Sequence, residues 1–120
     1  MSVWQVDFYR RPLRDATGQV LWELLICEAT HSFTYDALCP QQSANVSWLV
    51  SQLQKAADTS GLPDVIQVFR PQSLSLLTSS AQQLGIAVEA TRRTPALKQW
   101  LQERASQYSK QDNYTGEAYN

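Results

Sequence analysis

Two short apolar runs in this chain each lead, through arginine, into a helix that begins with proline. Residues 65–69 (VIQVF) are followed by Arg70 and Pro71, and residues 86–90 (IAVEA) are followed by residues 91–95 (TRRTP). Proline suits the first helical position, because an N–H there would have no intrahelical acceptor. Two strands that each pass directly into a helix predict parallel strands of an α/β sheet. Their carboxyl ends should lie at one edge of that sheet, which is where ligands bind in open α/β folds.

The first third of the sequence predicts an antiparallel meander of three strands. Residues 4–9 alternate between apolar and polar, which is the two-residue period of a strand. Residues 19–28 are apolar on both faces, as expected of an internal strand covered on both sides. A turn at residues 15–18 (DATG) separates these two strands, and residues 33–38 form the third.

Three helices are predicted in the remainder of the chain. Ser43 is expected to cap a helix over 44–59, Pro71 begins a helix that ends before Gly85, and Thr94 is expected to cap the last helix. The resulting order, βββαβαβα, predicts an α/β fold with a five-stranded mixed sheet and helices on both faces. That order is the one found in the ribonuclease H-like topology. We expect a single α/β domain over 1–110 and a loose tail over 111–120.

The composition excludes several classes of protein. The formal net charge is −1 in 120 residues, so any nucleic-acid site has to be a local arginine patch. Cys27 and Cys39 are the two cysteines, and we interpret them as reduced thiols. The first twenty residues carry five charged side chains, which fits neither a signal peptide nor a membrane span. We therefore expect a cytoplasmic protein.

The two arginine junctions are the best candidates for a binding site. Arg92 and Arg93 could bind phosphate beside the start of the last helix, and Arg70 and Gln72 could do so beside the preceding one. Arg10 and Arg11 could widen the patch. The alternatives are solvated loop arginines, or an Arg70 that pairs with a carboxylate. Six aromatic residues could stack on bases: Trp4, Tyr9, Trp22, Trp48, Phe69 and Trp100. Four of the six are in phase with apolar neighbours, which favours core packing.

Asp7 raises the alternative of a metal nuclease. Ribonuclease H-like enzymes hold a divalent metal with an aspartate on the first strand, which is where Asp7 lies. Such a site needs further converging carboxylates, and only Glu23 lies on the adjoining strand. The simpler interpretation is that Asp7 pairs with an arginine. His31 is assigned to a turn, and a metal site formed by His31 with the two cysteines is a weak alternative.

Three segments of the sequence resemble a known family. They are WQVDFYRRPLRDATGQVLWELLICE (4–28), VFRPQSLSLL (68–77) and TRRTPALKQWLQER (91–104). They are similar to the N-terminal half of the Tab/Atab-type (Tab two-like) family of RNA-binding photosystem translation factors of cyanobacteria and chloroplasts. The resemblance implies binding of single-stranded A/U-rich RNA, often in a 5′ leader, and a role in translation of photosystem reaction-centre subunits. Family members are about twice as long, so we expect this chain to be the N-terminal half of a longer protein.

Three functional hypotheses follow from these observations. The first is a non-catalytic RNA-binding module without a cofactor, which would work with its own C-terminal domain and the translation machinery. The second is a ribonuclease H-like metal nuclease, active or degenerate. The third is a protein-interaction half-domain, with RNA bound by the C-terminal half.

Overall fold

The sheet has five strands in the order β3-β2-β1-β4-β5 in a computed structural model that describes residues 1–30, 32–58 and 60–116. The first three strands pair antiparallel, while β4 pairs parallel with β1 and β5 pairs parallel with β4. The strands are β1 (Val3–Arg14), β2 (Val20–Glu28), β3 (Thr34–Pro40), β4 (Val65–Val68) and β5 (Ala87–Ala90), and the helices are α1 (Val46–Ala56), α2 (Pro71–Gln83) and α3 (Pro95–Tyr108). This arrangement confirms the predicted element order and the mixed sheet with β2 inside it.

The face of the sheet that packs against α1 and α2 holds the main core. Alternate residues of β1 and β2 lie on this face and are fully buried with leucines of α1 and α2, because successive side chains of a strand point to opposite faces. The buried residues at its centre are Trp4, Val6, Phe8, Leu24, Ile26, Leu49, Leu53 and Leu77. The other face is covered by α3, whose Ala96 and Leu97 pack against Leu25 and Cys27. Helices therefore lie on both faces, as the sequence predicts.

The face under α3 is unusually polar for a buried surface. Gln5, Asp7 and Arg11 of β1 lie there, together with Glu23 of β2, and each is at most 4% exposed. Gln5 accepts a hydrogen bond from the backbone N–H of Leu97 at 3.0 Å, so β1 caps the first turn of α3. The start of α3 is therefore fixed to the sheet by a side chain from a strand.

The prediction for the end of β1 was wrong. The strand does not stop at Tyr9 but continues to Arg14, with an irregularity in its pairing with β2 between Arg10 and Arg14. Part of the segment that we expected to be loose is paired with this extension of β1. The N–H of Arg14 donates to the carbonyl of Asn113 at 3.1 Å, and the N–H of Thr115 donates to the carbonyl of Pro12 at 2.9 Å. Residues 117–120 lie outside the described part of the chain, as do His31, assigned to a turn, and Thr59. The first helix ends at Ala56, before its expected end near residue 59.

The helix ends agree with the sequence in part. Gly85 follows α2 with a φ of 71°, which confirms its expected position beyond the C-cap. The cap of α1, however, is Asn45 and not Ser43, because Ser43 belongs to a preceding turn of 3-10 helix. Thr94 precedes α3 as expected, but its side chain makes no capping hydrogen bond. Within the described residues, no helix is both long enough and apolar enough to cross a membrane.

The corrected cap of α1 can be tested by paired substitutions. The Asn45 side chain accepts a hydrogen bond from the N–H of Trp48 at 2.9 Å. We expect Asn45→Ala to lower the free energy of unfolding by about 1 kcal/mol, because that N–H loses its acceptor. Ser43→Ala should change it by less than about 0.5 kcal/mol. Urea denaturation of both variants measures the difference, and a larger loss for Ser43→Ala would contradict the structure.

Candidate nucleic-acid interface

The carboxyl ends of β4 and β5 form a cavity at the edge where the sequence places the two arginine junctions. Phe69 and Arg70 connect β4 to α2 without any further residue. The cavity has a volume of ≈ 240 Å³ and lies between these residues and the end of β5. Arg70 and Arg92 both line it. The structure therefore brings these two predicted residues together, whereas Arg93 lies outside the cavity on the exposed surface.

The loop between β5 and α3 is held in a fixed conformation by its own hydrogen bonds. The Thr91 hydroxyl accepts from the N–H of Arg93 at 3.1 Å, and the carbonyl of Arg92 accepts from the N–H of Thr94 at 3.1 Å and from Lys98 Nζ. The guanidinium groups of Arg92 and Arg93 are exposed, and neither has a hydrogen-bond or ion-pair partner within residues 1–30, 32–58 and 60–116. The loop thus presents two cations to solvent from an ordered backbone.

Arg70 is paired with Asp7, which confirms the simpler interpretation of both residues. Because Gln5 pairs with Gln67 in the parallel β1–β4 ladder, Asp7 lies beside the end of β4. Arg70 donates from Nε to Oδ1 of Asp7 at 2.8 Å and from Nη2 to Oδ2 at 3.2 Å. Its guanidinium also lies 4.3 Å from the centre of the Tyr9 ring. Arg70 is therefore fixed in place by a bidentate pair and an aromatic ring.

Arg11 does not extend the surface patch, because it is only 4% exposed. Its Nη2 donates to Asp7 at 2.9 Å and its Nε donates to Glu23 at 3.0 Å and to the hydroxyl of Tyr108 at 3.1 Å. The sequence placed Arg11 in an exposed hairpin loop, whereas it lies within β1. Since residues four apart on a strand share a face, Asp7 and Arg11 point to the same side of the sheet.

Glu23 completes a buried ionic network, defined here as Asp7, Arg11, Glu23, Arg70, Arg104 and Tyr108. Arg104 Nη2 and the Tyr108 hydroxyl both donate to Glu23 at 2.5 Å. Burial alone would lower the pKa of Arg11, but attraction by Asp7, Tyr108 and Glu23 raises it above the ordinary arginine value. Burial, together with the hydrogen bond to Glu23, raises the pKa of Tyr108. The two shifts keep Arg11 protonated and Tyr108 neutral, so that both can donate to Glu23.

The aromatic residues are mostly core, as their phase predicts. Trp4 is 1% exposed and stacks on Phe33 at 5.4 Å between ring centres, and Phe8 packs between Trp22 and Trp48 at 5.2 and 5.6 Å. Tyr9 and Phe69 differ because they contact cations at the carboxyl edge: Arg10 and Arg70 lie near Tyr9, and Arg70 and Lys98 lie near Phe69.

The remaining predicted residues lie at different depths. Arg10 is exposed with its guanidinium 5.3 Å from the centre of the Tyr9 ring, and Gln72 is exposed in the first turn of α2. Sequence reasoning missed Lys98, although it follows Thr94 by one helical turn and could have been placed beside the same loop.

Cys27 and Cys39 are free, and burial raises the pKa of each thiol to about 11. They pack on opposite faces of the sheet, so the two cysteines do not form a metal pair.

Solved structures with a similar fold include viral integrase core domains. The HTLV-2 integrase catalytic core domain in complex with magnesium (dimeric form) matches with a TM-score of 0.59 and 11% identity over 91% of this chain and 70% of that one. The catalytic core domain of BIV integrase matches with a TM-score of 0.54 and 13% identity over 88% of this chain and 64% of that one. The fold is therefore ribonuclease H-like, as the element order predicts. At these identities the likeness concerns the fold alone.

Sequence comparison identifies the family. Residues 3–104 match the family described as "RNA-binding protein Tab2/Atab2 N terminal", and the chain belongs to that family. It is 34% identical over 103 residues to the chloroplastic protein TAB2 homolog of Zea mays and 32% identical over 103 residues to that of Arabidopsis thaliana. Each match covers 84% of this chain but only 26% and 28% of the relatives. The chain therefore spans about a quarter of the length of these relatives. They are longer than the twofold length that we expected for the family.

The carboxylates of this site do not fit a catalytic metal ion. Asp7 and Glu23 lie on one face, but their oxygens accept hydrogen bonds from three arginines. Across the described ranges, no three His, Cys, Asp or Glu side chains are grouped so that they could hold a metal ion. A divalent cation at Asp7 would have to displace two guanidinium groups and would meet a third positive charge beside Glu23.

The dependence of the fold on the network can be tested at Asp7. We expect Asp7→Asn to lower the free energy of unfolding by about 3–5 kcal/mol, because Arg11 and Arg70 would lose their shared counter-charge in a buried position. The exposed Asp58 provides a matched control, and Asp58→Asn should change stability by less than about 0.5 kcal/mol. Urea denaturation followed by tryptophan fluorescence measures both. Equal stability of Asp7→Asn and the unmodified chain would show that the network does not hold the sheet to α2.

Proposed function

We propose that this chain is a non-catalytic domain that binds single-stranded A/U-rich RNA and acts in translation of photosystem reaction-centre subunits. The observation that carries the proposal is the edge formed by the ends of β4 and β5, where Arg70 and Arg92 line one cavity and Arg93 is exposed beside it. Membership of a family described as RNA-binding supports the choice of RNA. The A/U preference and the photosystem role follow from the resemblance of the three sequence segments.

The charge at this edge supports contact with an RNA backbone. Arg10 and Arg70 share the Tyr9 ring, Arg70 and Lys98 share the Phe69 ring, and Lys98 donates to the carbonyl of Arg92. With Arg93, which follows Arg92 in the sequence, they form one basic edge on a chain with a net charge of −1. Arginine suits this role because its planar fork donates two hydrogen bonds to phosphate and also stacks on bases. We call these five residues the basic edge.

The buried ionic network supports a function without catalysis. In a metal-dependent nuclease the carboxylates must be available to a divalent cation, whereas Asp7 and Glu23 are already neutralised by Arg11, Arg70 and Arg104. Because these three guanidinium groups already occupy both carboxylates, the nuclease hypothesis is the weaker one. We propose further that the domain works in the cytoplasm together with its own C-terminal domain and the translation machinery.

The role of the basic edge can be tested by removing two of its exposed arginines. We expect Arg92→Ala combined with Arg93→Ala to weaken binding of an A/U-rich single-stranded oligoribonucleotide about tenfold, since two exposed charge contacts contribute about 0.5–1 kcal/mol each. The salt dependence of log K should flatten by about 1.4, which is about 0.7 for each lost contact. Fluorescence anisotropy over a series of salt concentrations measures both quantities.

A matched control is available at the opposite end of the sheet. Lys55 is exposed in the last turn of α1, and the segment that follows α1 leads to the amino end of β4. Lys55→Ala removes a positive charge far from the basic edge and should leave the affinity and the salt slope unchanged. If the double arginine variant binds as tightly as the unmodified chain at every salt concentration, the RNA site belongs to another part of the full-length protein.

A cleavage assay tests the absence of nuclease activity. We expect labelled single-stranded RNA and RNA–DNA duplexes to remain intact after incubation with the protein and Mg²⁺ or Mn²⁺, because the carboxylates are held by arginines. Turnover that depends on the metal and disappears in Asp7→Asn would show that a metal can displace the guanidinium groups. Asp58→Asn serves as the control for a contaminating nuclease, which neither substitution would remove.

A further inference from the structure

We infer that the cavity at the ends of β4 and β5 is a pocket for one RNA base, and that it selects uracil over adenine through Arg70. This inference rests on the proposed RNA-binding function and names the part of RNA that the site takes. It differs from the proposal for the basic edge, because phosphate contacts alone carry no sequence information.

The size of the cavity fits a single base. Its volume of ≈ 240 Å³ is below the range of about 300–1,000 Å³ that is typical of sites for whole small molecules. It equals roughly eight water molecules at about 30 Å³ each, which is enough for one planar ring and leaves sugar and phosphate outside. Its walls include the apolar side chains of Val68, Phe69 and Leu74. A small, partly apolar pocket of this kind suits the face of a base that has left its stack.

Arg70 supplies a fixed hydrogen-bond donor at this pocket. Asp7 takes the Nε and Nη2 edge of the guanidinium, and the Tyr9 ring lies 4.3 Å from it. Nη1 has no partner within the described ranges, and because Arg70 lines the cavity, we take its two N–H groups to be the donors that a bound base meets. The Arg70 side chain is 14% exposed and its rotamer is already held, so little conformational entropy is lost when a base binds.

The chemistry of the lining favours a base that presents acceptors. Uracil carries the carbonyl O4 at the position where adenine carries an amino donor, as thymine does in DNA. The guanidinium can donate to that oxygen, whereas adenine presents its N7 acceptor beside an amino group that would oppose the guanidinium. None of the described residues that line the cavity has a carboxylate to accept from such an amino group. Guanine presents acceptors at O6 and N7 as well, so the inferred selection is for uracil against adenine alone.

The arginines outside the cavity complete the site. Arg92 lines the rim and Arg93 lies exposed beside it, so they can contact the phosphates that flank a bound base. Within the basic edge, base selection is thereby assigned to Arg70, and phosphate binding to Arg92 and Arg93. They can be separated by substitution.

The inference is tested with U8 and A8 oligoribonucleotides and two variants. We expect the unmodified chain to bind U8 about tenfold more tightly than A8 in fluorescence anisotropy. Ala90→Phe places a large side chain at the cavity wall, and Arg70→Lys keeps the charge but removes the Nη1 donors. Each variant should reduce the U8 to A8 ratio at least threefold while its salt slope stays unchanged. Ala105→Phe, at an exposed position of α3, should leave the ratio as it was.

The outcomes separate this inference from the proposed function. Equal binding of U8 and A8, with both weakened by the Arg92 and Arg93 double substitution, would overturn the base pocket and leave RNA binding intact. A uracil preference that survives in both Ala90→Phe and Arg70→Lys would also overturn it, because the selection would then arise elsewhere. Uridine monophosphate that binds as tightly as U8 would show a site for free nucleotide instead of RNA. Failure of the unmodified chain to bind either oligomer would reject both proposals.

Discussion

The pairing of Asp7 with two arginines is the interaction on which the remaining structure of the site depends. Asp7 lies in the middle of the sheet with no exposed surface, and it binds Arg11 of the same strand and Arg70 at the start of α2. Removing one member of a buried ion pair is costly, because the other charge remains without water or a partner. The pair with Arg70 fixes the direction in which the chain leaves β4, and therefore also one wall of the cavity. The bridge through Arg11 to Glu23 extends the same constraint to the last turns of α3, where Arg104 and Tyr108 bind Glu23.

The same interaction determines what the carboxylates on this face of the sheet can bind. Guanidinium groups fill the positions around Asp7 and Glu23 that a divalent cation would need. The arginines are covalently part of the chain, so this neutralisation does not depend on the concentration of any ion. The strand order alone therefore does not determine what this face of the sheet binds.

The sequence predicts the sheet well because periodicity is a local signal. Alternation at Trp4, Val6 and Phe8 sets the faces of β1, and the proline-started helices set the parallel strands and the basic edge. The end of β1 could not be found in this way, since a run of arginines and a proline resembles a loop. Misplacing that end hid the relation between Asp7 and Arg11. Ser43 and Asn45 are equally plausible caps from the sequence, and only the 3-10 turn that contains Ser43 decides between them.

The network itself joins residues that are distant in sequence, such as Arg70 and Asp7, 63 positions apart. No local pattern reports such a pair, although the parallel register of β1 and β4 explains it once the fold is known.

The network also changes what the composition implies about the charge of the surface. Three of the ten basic and two of the eleven acidic residues lie within it, which leaves seven basic and nine acidic residues for the rest of the chain. The remaining surface is thus more acidic than the net charge of −1 suggests, and it should repel RNA everywhere except at the basic edge. Because attraction is confined to that edge, the affinity for phosphate alone should be modest. If the domain binds RNA as proposed, a side chain with a fixed geometry would have to discriminate between RNAs, and Arg70, held by Asp7 and Tyr9, has that geometry.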